Sequence, residues 1–285
     1  MTPATYTTLI DTDDLRALMQ HGAPLVLLDA SFDLADTHAG ERAYLEAHIP
    51  GAQYVHLDRD LSGARTGRNG RHPLPGRKAF AATAAALGIA PRTQVVVYDR
   101  QGAAYAGRAW WLLRWIGHGP VAVLDGGFQA WLAAGGESAS GAQARSPAPG
   151  YPLPNDTMPS LDVDILQQRL GAVRLVDARA AERFRGEVEP LDAQAGHIPG
   201  ALNRFFGDNL GADGRFKPAA ALRREFAALL GAAGSGDGVV HHCGSGVTAC
   251  HNLLAMEVAG LGGSALYPGS WSEWSSDPAR PVAKG

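Results

Sequence analysis

Cys243 stands in the run Val239-Val240-His241-His242-Cys243-Gly244-Ser245-Gly246-Val247-Thr248. The apolar residues before it predict the end of a short buried strand, and the glycine-containing stretch after it predicts a turn. The run from Val247 onward, with apolar residues at Leu253, Leu254 and Val258, predicts a helix. A thiol on a strand-to-helix turn lies in the field of the unpaired amides that begin the helix, which favours its thiolate. Gly244 and Gly246 free the backbone to turn successive N–H groups inward as an anion nest. The chemistry implied is a nucleophilic thiolate that accepts and holds a second sulfur; the alternative is a structural cysteine on an ordinary glycine turn.

The hexapeptide Cys243-Gly244-Ser245-Gly246-Val247-Thr248 resembles the active-site loop of the mercaptopyruvate sulfurtransferases, members of the rhodanese superfamily. Asp177-Ala178-Arg179, Arg183-Phe184-Arg185-Gly186, Gly196-His197-Ile198-Pro199-Gly200-Ala201 and Tyr267-Pro268-Gly269-Ser270-Trp271-Ser272-Glu273-Trp274 resemble further stretches of tandem-domain members, so the likeness covers nearly the whole chain. The resemblance implies a persulfide on Cys243, with the amides of Gly244, Gly246, Val247 and Thr248 holding it. It implies a relay in which Ser245, His72 and Asp58 move and orient a proton, and a donor carboxylate bound by Arg183. It implies a small-molecule sulfur donor, 3-mercaptopyruvate, and an acceptor that is a small thiol, cyanide or a thioredoxin-like protein. No cofactor and no metal are expected. The pattern departs from the family in one place. A second arginine usually follows the first in mercaptopyruvate enzymes, whereas here the segment reads Glu189-Pro190-Leu191-Asp192. The basic residues that thiosulfate enzymes place directly after the cysteine are also missing.

The elements that must position these residues come in two copies. Leu27-Leu28-Asp29-Ala30 returns as Leu175-Val176-Asp177-Ala178, and His48-Ile49-Pro50-Gly51-Ala52 as His197-Ile198-Pro199-Gly200-Ala201, 148 and 149 positions later. In the first copy, Leu25 to Leu28, Val95 to Tyr98 and Val121 to Leu124 predict buried strands, and Leu15 to Gln20, Lys78 to Leu87 and Arg108 to Ile116 predict helices. In the second copy, strands near Arg174 to Val176, Gly238 to His241 and Ser264 to Leu266 alternate with helices at Val163 to Leu170, Ala219 to Leu230 and Val247 to Val258. The expected fold is α/β: two tandem rhodanese-like domains, each a mainly parallel sheet with helices on both faces. The expected boundaries are 1–138 for a non-catalytic N-terminal domain, 139–158 for a Gly/Ser/Ala/Pro-rich linker and 159–285 for the catalytic domain. Asp99 aligns with Cys243, and a carboxylate cannot form a persulfide. Its side chain is expected either to fill the first copy's anion nest or to cap the following helix.

Length and composition agree with two soluble globular domains. The chain has 285 residues, 46% hydrophobic and 19% charged, with a formal net charge of -3, so no nucleic-acid footprint is present. No stretch reaches the ~18 apolar residues of a membrane span and the N-terminus does not read as a signal peptide, so a cytoplasmic location is expected. The two cysteines, Cys243 and Cys250, suggest no disulfide framework, and their spacing with His241, His242 and His251 fits no standard zinc site. Trp110, Trp111, Trp115, Trp271 and Trp274 read as packing residues. A cysteine phosphatase would need an arginine where Ala249 stands. Two other readings stay open: a thiosulfate:cyanide sulfurtransferase (a rhodanese), and a non-catalytic sulfur carrier that keeps Cys243.

Overall fold

The computed structural model describes residues 4–154, 158–231 and 236–285. Residues 1–3, 232–235 and the end of the expected linker at 155–157 fall outside the described residues. The chain forms two compact units: one of residues 1–62, 75–157 and 213–215, the other of residues 63–74, 158–212 and 216–285. The second unit therefore takes the short segment around His72 from the first half of the sequence.

The first unit runs β1 (Leu9–Ile10), α1 (Thr12–His21), β2 (Leu25–Asp29), α2 (Ala39–Glu46), β3 (Gln53–Tyr54), α3 (Arg77–Ala86), β4 (Gln94–Tyr98), α4 (Ala106–Trp115), β5 (Val121–Leu124) and α5 (Gly127–Ala133). Its strands are parallel in the order β1-β5-β4-β2-β3, with Leu27 opposite Val96 and Val96 opposite Ala122. Every residue of β4 is buried, so the strand has no polar alternation and the sheet is covered on both faces. Its core joins Ile10, Leu15, Leu27, Val96, Phe128 and Trp131. The Asp11 carboxylate caps α1 through the N–H groups of Asp13 and Asp14, and Gly22, at φ 66°, ends it.

The second unit runs α6 (Val163–Gln168), β6 (Arg174–Asp177), α7 (Ala181–Phe184), β7 (Leu202–Asn203), a 3₁₀ turn at Phe206–Asn209, α8 (Ala219–Leu230), β8 (Val239–His242), α9 (Ala249–Val258), β9 (Ala265–Leu266) and α10 (Ser270–Trp274). Its parallel sheet has the order β7-β6-β8-β9, and a parallel bridge from Ser160 to Leu266 stands where β1 stands in the first unit. The expected α/β alternation is thus present in both copies. The short helices α2, α5, α7 and α10 were not expected, because none is longer than eight residues and each leaves little apolar period to read. α9 begins two residues later than expected, after a turn in which the Cys250 N–H donates to Val247 O at 3.0 Å. No helix among the described residues is long and apolar enough to cross a membrane.

Candidate active site

Cys243 immediately follows central strand β8, and it is 2% exposed. The start of α10 holds it there. The Cys243 N–H donates to Ser270 Oγ at 3.1 Å, the Trp271 N–H to Cys243 O at 3.0 Å, and the Ser272 N–H to Gly244 O at 2.9 Å. Ser270 has φ 55°, a left-handed conformation unusual for a residue with a Cβ, and its hydroxyl also donates to Tyr267 O at 3.0 Å. Gly246 is required twice over: its φ is 78°, and a Cβ there would stand 2.3 Å from Pro268 O.

His72 reaches this loop from the segment 63–74. Its Nδ1 shares a 2.7 Å hydrogen bond with Ser245 Oγ, and both side chains are buried. The neighbouring Arg71 N–H donates to Ser272 Oγ at 3.0 Å, so a single serine ties this segment to the Gly244 carbonyl. Arg183, on α7, donates through Nη2 to Glu189 Oε1 and Oε2 at 2.7 and 2.9 Å and to Asp192 Oδ2 at 3.3 Å. The other oxygen of Asp192 pairs with Arg71 Nη1. Burial pushes the Asp192 carboxyl up from its ordinary value, against the pull of the two guanidiniums.

The first unit shows what such a loop is built to hold. Asp99 occupies the place of Cys243: it immediately follows β4, and the Phe128 N–H donates to Asp99 O at 3.1 Å as the Trp271 N–H does to Cys243 O. The Asp99 carboxylate accepts four backbone N–H groups, from Gln101 and Ala103 at 2.9 Å each, Tyr105 at 2.8 Å and Ala106 at 2.9 Å. Both expectations for Asp99 are met, since the last of these amides opens α4 and the rest form the nest. Burial raises its carboxyl, and the four donors pull it back.

Of the expected site residues, Cys243, Ser245, His72, Arg183 and the loop Gly244–Thr248 come together in the second unit. Asp58 belongs to the first, where its N–H donates to His56 Nδ1 at 3.1 Å. Thr248 precedes α9 without a side-chain cap bond. Arg179 is a structural ion-pair partner: it donates to Asp177 Oδ2 from Nη2 at 2.7 Å and lies 4.8 Å from the ring centre of the fully buried Trp271. The histidines beside the cysteines serve the core. His241 Nε2 lies 3.0 Å from Met256 Sδ, His242 faces Asp177, and His251 stacks on Phe216. Burial, helped by His242, pushes His241 down to about 3, so its ring is neutral. Ser270, Ser272 and Arg71 were missed. The signal for Ser270 was in the duplication: it aligns with Gly127, at φ 61°, where a Cβ would come 2.3 Å from Asp99 O. Arg71 carried no local signal, since an arginine in a polar Gly-Arg-His-Pro loop reads as surface.

Residues 11–134 and 162–277 each match the rhodanese-like domain. This chain belongs to the rhodanese family. A Pseudomonas aeruginosa protein named "probable 3-mercaptopyruvate sulfurtransferase" is 49% identical over 265 residues, covering 92% of this chain and 93% of that one. Bovine thiosulfate sulfurtransferase is 35% identical over 261 residues, covering 89% of this chain and 86% of its own. Among solved structures, 3-mercaptopyruvate sulfurtransferase from Leishmania major superposes with a TM-score of 0.84 at 31% identity, over 94% of this chain and 74% of that one.

Proposed function

We propose that this rhodanese-family chain is a sulfurtransferase that takes sulfane sulfur from 3-mercaptopyruvate onto Cys243 and passes it to a small thiol, cyanide or a thioredoxin-like protein. One observation carries the reading. The loop after β4 holds a carboxylate on four amides, and the corresponding loop after β8 starts from a thiol in its place, a build suited to an anionic sulfur. The Cys243 thiolate attacks the donor sulfur. An S–S bond forms as the C–S bond breaks, the bonding pair passes into the donor carbonyl, and the enolate takes up one proton and leaves as pyruvate. The sulfhydryl hydrogen stays on the outer sulfur, so Cys243 is left as a persulfide. An acceptor thiolate then removes that sulfur and restores the Cys243 thiolate.

The His72–Ser245 hydrogen bond supports this pair as the route of the proton. Arg183 is the proposed carboxylate-binding residue, and Gly244, Gly246, Val247 and Thr248 supply backbone donors. Asp58 enters as orienting carboxylate through resemblance alone. A cytoplasmic setting belongs to the same proposal, since neither Cys243 nor Cys250 is in a disulfide. Thiosulfate is the second reading, supported by the absence of an arginine from Glu189-Pro190-Leu191-Asp192 and by the similarity to bovine thiosulfate sulfurtransferase.

The test is kcat/KM for 3-mercaptopyruvate and for thiosulfate with one acceptor, alongside Cys243→Ser. The expected result is a preference for 3-mercaptopyruvate, a mass gain of one sulfur atom on the donor-treated wild type, and no turnover in the variant. Turnover by Cys243→Ser above the uncatalysed rate overturns the mechanism.

A further inference from the structure

We infer that Ser272 is a positioning residue for proton transfer: its hydroxyl anchors the chain beside His72 and so keeps the imidazole within hydrogen-bond distance of Ser245. The inference rests on the sulfurtransferase reading and adds to it a residue outside both the Cys243 loop and the His72–Ser245 pair.

Ser272, on α10, bonds in three directions. Its N–H donates to Gly244 O at 2.9 Å, its hydroxyl donates to Gly269 O at 3.2 Å, and its Oγ accepts the Arg71 N–H at 3.0 Å. A serine hydroxyl has a single hydrogen, and Gly269 O takes it, so the oxygen meets Arg71 as an acceptor. The segment 63–74 is pressed against this point. Gly70, at φ 80°, leaves no room for a side chain, since a Cβ there would stand 2.7 Å from Gly269 O and 3.1 Å from Ser272 Oγ. The Gly63 N–H closes the segment on Pro73 O at 2.9 Å. His72 follows Arg71 directly, and its Nδ1 lies 2.7 Å from Ser245 Oγ. The bond from Arg71 to Ser272 therefore sets where the ring of the next residue stands.

The duplication separates this hydroxyl from the frame that both copies share. Because Cys243 aligns with Asp99, Gly244 aligns with Arg100, and Ser272 with Gln129. In the first unit the Gln129 side chain donates to Arg100 O at 3.0 Å. In the second unit the Ser272 backbone N–H holds the matching carbonyl of Gly244, which leaves the side chain to take Arg71. The copy with the thiol thus uses at this position a side chain that reaches the segment carrying the proton-transfer histidine.

The experiment compares Ser272→Thr with Ser272→Val, a pair of matching shape in which only threonine keeps a hydroxyl, by kcat/KM for 3-mercaptopyruvate in the wild-type and His72→Gln backgrounds. The expected result is near-native activity for Ser272→Thr and a loss of about 2- to 10-fold for Ser272→Val, the span of one neutral hydrogen bond. In the His72→Gln background Ser272→Val adds no further loss, because residues that act through one step do not add. If the extra methyl disables both variants, Ser272→Ala in the same two backgrounds decides in the same terms. An unchanged kcat/KM without the hydroxyl, or an equal loss in both backgrounds, overturns the positioning role and leaves the sulfurtransferase reading standing. A wild type that turns over neither 3-mercaptopyruvate nor thiosulfate overturns that reading itself.

Discussion

His241 sits one residue from the strand end that presents the nucleophile, yet it belongs to the core, and its environment predicts how the protein responds to acid. With its value pushed down to about 3 by burial, the folded state holds the neutral ring where the unfolded chain binds a proton. The stability this protects is fully present above the ordinary histidine value and is lost as pH falls from there toward 3. At pH 5 the loss is about 2 kcal/mol. Urea unfolding at pH 7 and pH 5 should show a drop that shrinks by about that amount in His241→Gln; an unchanged drop would mean that His241 stays neutral for both states. The spacing of His241, His242 and His251 matched no standard zinc site, but it did not reveal their core partners, which are Met256, Asp177 and Phe216. Cys243, Ser245, His72 and Arg183 were legible through short motifs. Ser272 and Asp192 were not, since their contributions are hydrogen bonds to residues far away in sequence.

The turn between β8 and α9 contains two glycines whose constraints differ. Gly246 has φ 78° and backbone 2.3 Å from any added Cβ, so Gly246→Ala strains the turn itself. The conformational part alone costs roughly 1–3 kcal/mol. An added Cβ on Gly244 meets only the flexible ends of two side chains, Arg71 at 3.0 Å and Arg183 at 3.5 Å, so Gly244→Ala is accommodated by moving guanidiniums. The expected contrast is a clear loss of denaturation midpoint for Gly246→Ala, and a raised donor KM with nearly native stability for Gly244→Ala. Equal stability losses would mean that the Gly244 site is governed by backbone after all. The strand-turn-helix arrangement itself was readable, because apolar runs, glycines and a following helix are local signals. The docking of α10 against the turn was not, since a five-residue helix leaves too little period to announce itself.

At the scale of the whole chain, the duplication made the fold legible before any single element was certain, and a sheet of matching parallel order appears in each copy. What the repeat did not reveal is the regrouping of residues 63–74 with the second unit, because chain order says nothing about which core a loop joins. The filled nest at Asp99 has one further consequence. A carboxylate attached to the chain is a resident ligand at an effective concentration that a diffusing anion does not match, so that cradle is never vacant. In the proposed reaction the cradle after β8 instead gains and loses its charged sulfur in every turnover. Hydrogen exchange should therefore slow at Ser245 and Val247 when the protein is loaded with donor, while Gln101 and Ala103 exchange at one steady rate. Equal slowing in both copies would contradict this. Under the proposed function, the copy that carries Asp99 thus serves as a built-in zero against which the occupancy of the copy that carries Cys243 is read.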